Sequence, residues 1–125
     1  MRFTWILSAV AAFAFASYGA AAGFNGQLDV SEPFELGEEV YQNIYLTDNT
    51  TGATFAGALV DGFNNECIST GCSILFAAIK PVGNSATFLA DLWLSENTCY
   101  NIEFDGQWYS GQEYCCGSLP CDLKA

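Results

Sequence analysis

All six cysteines of this chain lie between Cys67 and Cys121, and four of them (Cys99, Cys115, Cys116 and Cys121) fall in its last stretch. An even set in a short exported chain reads as disulfides, which confines the second half of the molecule to folds that bring Cys67, Cys72 and those four together in pairs. Zinc is the competing use of clustered cysteines. The chain has no histidine and lacks the paired C-x2-C spacing of a four-thiolate site, so no metal is expected. Cys115 and Cys116 are adjacent, and adjacent strand residues point to opposite faces, so the two must serve different partners.

The first residues supply the export route that disulfides require. Arg2 gives a positive start, Trp5 to Phe15 is a nearly unbroken apolar run, and Ala20-Ala21-Ala22 places small residues before Gly23. Residues 1–22 read as a secretory signal, and residues 23–125 as a single secreted, extracellular domain. An uncleaved anchor is the alternative, but the run is short for a spanning helix and ends in small residues. The longest later apolar run, Ile74 to Ile79, is far below the roughly 20 residues a helix needs to cross hydrocarbon, so no membrane contact is expected once the signal is removed.

Removal of the signal takes Arg2 and no acid, which leaves Lys80 and Lys124 against fourteen acids, 2 − 14 = −12. Such a chain repels nucleic acid and anionic membranes. The acids are scattered among many aromatics, the pattern of a solvated surface on a folded domain and not of a disordered acidic tail.

Alternation with period two dominates the mature chain and predicts an all-β fold: a small disulfide-stapled antiparallel sandwich or barrel built from successive hairpins. Residues 23–39, with Gly26, Pro33 and Gly37, read as an extended arm with one short strand near Leu28 to Ser31. Val40 to Thr47 alternates, Asp48 to Gly52 turns, and Ala53 to Val60 returns. The turn carries Asn49-Thr50-Thr51, an acceptor for N-glycosylation at an exposed tip. Asp61 to Cys72 is a polar loop whose oxygens (Asp61, Asn64, Asn65, Glu66) fail the spacing of a calcium loop and read as a plain turn. Ser73 to Lys80 is apolar on both faces, as a central strand is, and Ser85 to Leu94 pairs with it after Pro81 to Asn84.

The last hairpin is the sharpest. Tyr100, Ile102 and Phe104 alternate with Asn101, Glu103 and Asp105, and Asp105-Gly106 is a preferred type I′ pair. A two-residue turn there sets Phe104 opposite Gln107, Ile102 opposite Tyr109, and Glu103 opposite Trp108. It leaves Cys99 beside Gln112, so the hairpin's cysteines are expected to tie outward, to the Cys67 to Cys72 loop and to the tail at Cys121. A bridge directly across the hairpin would need a bulge or a longer loop.

Catalytic chemistry is poorly supplied. Without histidine, with every cysteine oxidised, and with no glycine-rich loop before a helix, there is no nucleophile-base pair or phosphate cradle, and no cofactor is expected. Carboxylates remain. Asp91, Glu103 and Asp105 are candidates for a glycosidic pair, which needs two carboxyls about 5 to 9.5 Å apart across a cleft. Asp91 shares a face with Trp93, and Glu103 with Trp108; a flat ring beside an acceptor stacks on a sugar and bonds its hydroxyls. In a two-layer sandwich the same tryptophans would be core.

The combination of signal, short acidic domain, even cysteine count, vicinal Cys115-Cys116 and absent catalytic apparatus resembles the small cysteine-rich secreted proteins of filamentous fungi, many of them effector candidates acting on a host plant or on competing microbes. Tyr100-x3-Phe104-x-Gly106 is also similar to the aromatic-glycine corner of βγ-crystallin-like domains, though one residue shorter. The first resemblance implies a secreted, non-enzymatic, virulence-type effector that binds a host extracellular protein or a cell-wall glycan. An antimicrobial or killer-type toxin and a small carboxylate-dependent glycoside-active enzyme are the alternatives.

Overall fold

The structure, a computed structural model, describes residues 22–125. The expected signal, residues 1–22, lies outside the described residues except for Ala22. Nine strands follow: β1 (Gly26–Val30), β2 (Phe34–Leu36), β3 (Glu39–Asp48), β4 (Thr54–Val60), β5 (Cys72–Lys80), β6 (Thr87–Leu94), β7 (Cys99–Phe104), β8 (Gln112–Cys116) and β9 (Cys121–Asp122). They form one antiparallel sheet in the order β8-β7-β6-β5-β4-β3-β1-β9. Beyond β9 the chain meets β8 through a two-way backbone bridge, Tyr114 to Lys124, with both N···O distances 2.8 Å. The all-β expectation therefore takes the form of a nearly closed barrel.

Period two explains which side chains go inside. Ile44 and Leu46 of β3, Phe55 and Leu59 of β4, Ile74 and Phe76 of β5, Phe88, Ala90 and Leu92 of β6, and Ile102 and Phe104 of β7 are all buried. Their neighbours in alternation lie on the outer face, exposed or half-exposed, and among the described residues no second layer covers them. Phe88 stands at the centre, with ring centroids 5.1 Å from Phe55, 5.5 Å from Phe76 and 5.9 Å from Phe104. An interior of this size is filled by side chains and leaves no lumen. Gly57 marks a close approach of two strands: a methyl there would fall 2.4 Å from Ile74 Cγ2 and 2.8 Å from the Leu75 carbonyl, so only hydrogen lets β4 and β5 close.

Three expectations are corrected. The segment 23–39 is not an arm. β1 pairs with both β3 and β9, with Leu28 fully buried, and β2 extends β3 as a projecting lip. Apolar and polar residues are mixed there because the lip exposes both faces, which hides the alternation.

The hairpin at Asp105-Gly106 is not a two-residue turn. Cys99 pairs with Cys116, Tyr100 with Cys115, Ile102 with Glu113, and Glu103 with Gln112, so residues 105–111 form a loop. Asp105 holds it open: one carboxylate oxygen accepts the Gln107 N–H at 2.9 Å and the other the Leu89 N–H at 3.0 Å. Phe104 N–H donates to the Gly111 carbonyl, and Gly106 N–H to that of Tyr109. The detour lets Tyr109 reach the barrel mouth.

The cysteines follow from that register. Cys99–Cys116 bridges the hairpin directly, against the expectation that its cysteines all tie outward. Cys115–Cys121 reaches the tail, as expected, and Cys67–Cys72 closes its own loop instead of receiving a partner from the hairpin. No cysteine is free. All three bridges lie toward one end of the barrel, the stapled end, where Phe63 also packs on Tyr100 at 5.4 Å.

Candidate functional site

The opposite end is closed without covalent help. Phe24 lies across the mouth with its ring 5.4 Å from Phe104 and 4.8 Å from Tyr109, and Tyr109 in turn meets Phe55 and Phe88 edge-on. The Tyr109 hydroxyl donates to buried Asp48 at 2.7 Å, and the other Asp48 oxygen accepts the N–H groups of Thr50 and Thr51 at 2.8 and 3.3 Å. Asp48 thus fixes both the β3–β4 turn and the 105–111 loop. Burial, reinforced by the hydrogen bond and the charge of Asp48, holds the Tyr109 hydroxyl protonated well above the ordinary tyrosine range.

Outside this plug is a depression of about 290 Å³ lined by Thr51, Ala53, Phe55, Pro81, Asn84, Ala86, Trp108 and Tyr109. Three loops build it: the β3–β4 turn, the β5–β6 connection and the 105–111 loop. Trp108 keeps 52 % of its surface exposed, an unusual state for so large an apolar ring. Asn84 is fixed through its side-chain oxygen, which accepts the Ala86 N–H at 3.0 Å, and Thr51 Oγ1 accepts the Ala53 N–H at 3.2 Å. A flat ring at the rim and oriented amide and hydroxyl groups beside it form a site that can stack on one face of a small polar ring and hydrogen-bond its edge.

The other sequence-predicted residues fall elsewhere. Asp91 on β6 and Glu103 on β7 are directly opposed on the outer face, with Asp105 nearby around a shallow hollow of about 320 Å³. The structure therefore brings the carboxylates together but separates Glu103 from Trp108, because the longer loop carries the ring to the barrel end. Asp91 and Glu103 are both exposed, and Asp105 uses both oxygens to hold its loop. A glycosidic acid needs an environment that sets one carboxyl apart from its partner, and here Asp91 and Glu103 are alike in exposure, with Leu89 beside them in the hollow. Trp93 lies half-buried on the same outer face, opposite Asn101, which is opposite Tyr114. Neither tryptophan is core.

Asn49 is exposed at the tip of its turn. In the polar loop, Asn65 accepts the Cys67 N–H at 3.0 Å and donates to the Val60 carbonyl at 2.9 Å, so its side chain serves the turn. Among the described residues, no three histidine, cysteine or acidic side chains gather as a metal ligand set.

Two interior acids were not singled out in the sequence: Asp48 and Glu113, 5 % and 4 % exposed. Glu113 faces Ile102 across β7–β8, and burial pushes its carboxyl above the ordinary range, an effect that a hydrogen bond from the Phe24 N–H only partly offsets. Strand parity with Cys115 was the available signal, since two residues apart on one strand means the same face.

Fold and site together define a small, disulfide-stapled antiparallel β-barrel with a filled interior and an aromatic-rimmed depression at its uncrosslinked end. No known protein family, curated protein or solved structure matches the chain.

Proposed function

We propose that the protein is a secreted, non-enzymatic effector-type protein that binds a cell-wall glycan outside the producing cell, through the depression at Trp108. The observation that carries this reading is the half-exposed Trp108 ring, which lines one depression with Asn84 and Thr51 where three loops meet. The filled barrel interior argues against carriage of a ligand inside, and the acidic surface disfavours nucleic acid and anionic lipid. Disulfide stapling suits an oxidising extracellular setting.

The test is a pull-down of the oxidised mature protein on insoluble chitin, cellulose, xylan and β-glucan, with Trp108→Ala alongside. Retention on one polymer, weakened about tenfold by loss of a stacking worth ~1.4 kcal/mol, supports the reading. Equal retention of both proteins, or none on any polymer, refutes it.

A host extracellular protein is the second reading, favoured by the lip. Phe34, Leu36, Val40 and Val60 are all exposed there, and Phe34 stacks on Tyr41 at 6.0 Å. Clustered apolar exposure of this kind on a small secreted domain suits a protein partner.

A further inference from the structure

Among the described residues, the buried side-chain atom without any hydrogen-bond partner is Oε1 of Glu113. A carboxylate inside a barrel calls for a donor, and the mature chain's two lysines, Lys80 and Lys124, are both exposed. The other interior acid, Asp48, is fully served by Tyr109 and two backbone amides. Opposite Glu113 on β7 stands apolar Ile102, and among the described residues the carboxyl's partner is the N–H of Phe24.

What lies next to that partner is Gly23, the residue after the expected signal. A methyl on Gly23 would fall 3.6 Å from Glu113 Oε2. Nitrogen and Cβ on one Cα are about 2.5 Å apart, which places the Gly23 nitrogen within roughly 6 Å of the carboxylate. The neighbouring peptide is accessible: Ala22 and Gly23 are exposed, and Ala22 is held by a parallel bridge to Tyr109 and a 2.9 Å bond from the Ser110 N–H to its carbonyl.

We propose that removal of the signal between Ala22 and Gly23 creates the missing donor, so that the new α-ammonium of Gly23 turns onto Glu113 and forms an ion pair that only the processed chain possesses. The cut, made by a signal peptidase, adds one water across the bond. The Ala22 carbonyl carbon takes the hydroxyl and leaves as a carboxylate, and the Gly23 nitrogen takes the protons and becomes the ammonium. Severing the chain there also detaches Gly23 from Ala22, the residue bridged to Tyr109. Phe24 stays fixed by its ring contacts, and glycine offers no side chain to hinder rotation of the terminus inward. Processing then completes the core at the end of the barrel that has no disulfide.

The proposal rests on the export part of the reading above, and one preparation tests the two separately. The full chain is secreted from a eukaryotic host, its intact mass is measured, and its α-amine is titrated by NMR after labelling glycine with ¹⁵N. The expected mass is that of residues 23–125 with three disulfides, and the expected α-amine pKa lies a unit or more above its ordinary value of about 8. Glu113→Gln returns it to that value. Because this substitution alters the core, a chain processed to leave one extra alanine before Gly23 provides the same contrast with Glu113 intact, and its α-amine titrates normally. Retention of residues 1–22 refutes export. A mass of 23–125 with an ordinary α-amine refutes the ion pair alone, and a terminus at any other residue refutes the proposed cut.

Discussion

Tyr109→Phe removes one atom and tests how the uncrosslinked end of the barrel is held. The hydroxyl donates to Asp48 at 2.7 Å, and Asp48 is 5 % exposed, so the lost bond is to a buried charged acceptor that water cannot readily reach. Bonds of that type contribute about 1.5 to 3 kcal/mol. In a domain of this size, ~2 kcal/mol lowers Tm by roughly 8 to 16 °C. The substitution keeps the ring that packs on Phe24 and Phe88, so the loss isolates the hydroxyl. pH adds a second readout. Burial and Asp48 raise the Tyr109 pKa in the folded state, so above the unfolded value of about 10 the unfolded chain has lost a proton that the native chain retains. Stability therefore falls with rising pH in that window, by about 1.4 kcal/mol per unit for this one group, and Tyr109→Phe abolishes that component. Thermal melts of both proteins between neutral pH and strong alkali give both numbers. A variant as stable as the parent at neutral pH, with the same alkaline slope, would show that the Asp48–Tyr109 bond does not hold this end.

Four further outcomes follow from the same structure. Trp93→Ala, which removes a half-buried ring from the outer face, lowers Tm and leaves glycan retention unchanged, whereas Trp108→Ala does the reverse; melting and pull-down on the same two proteins check this. Replacing Cys99 and Cys116 together with serine costs about 3 kcal/mol, and replacing Cys67 and Cys72 about 2 kcal/mol, because the sequence separations closed are 17 and 5; urea unfolding measures the difference. Asp91→Asn relieves the like-charge contact with Glu103 and stabilises by about 0.5 kcal/mol without altering glycan retention. Sugar release by the parent that vanished in Asp91→Asn would instead make the protein an enzyme. Protein secreted from a eukaryotic host loses mass on enzymatic deglycosylation, and Asn49→Gln removes that shift.

The barrel was legible where alternation was undiluted. Ile44 and Leu46, Ile74 and Phe76, and Phe88 with Leu92 each announce an inner face, and each is buried. Alternation reports parity but not which strand lies alongside, and it could not tell a sandwich from a barrel. That depended on the bridge from Tyr114 to Lys124, two residues with no pattern between them. Turn chemistry misled at Asp105-Gly106 because the pair is equally able to begin a longer loop. What decides is Asp105's grip on Leu89 N–H, a contact with another strand. The displaced register then moved Trp108 away from Glu103 and brought Cys99 beside Cys116. The candidate site inherits the same limit: Trp108 was visible as a residue, but Thr51 and Asn84 come from two other loops and meet it only once the barrel closes.

Gathering every disulfide at one end gives the domain a direction of opening. Amide hydrogen exchange in the native protein would begin at the mouth, at Gln112 to Tyr114 and around Thr54, and advance toward Cys99 and Cys116, the stretch a crosslink keeps in register even when neighbouring bonds break. Local opening is thus expected where Trp108 is presented, about a base that the crosslinks hold. A ligand that seats there would slow exchange far beyond its own footprint, because closing the mouth removes the first step through which the rest of the barrel exchanges.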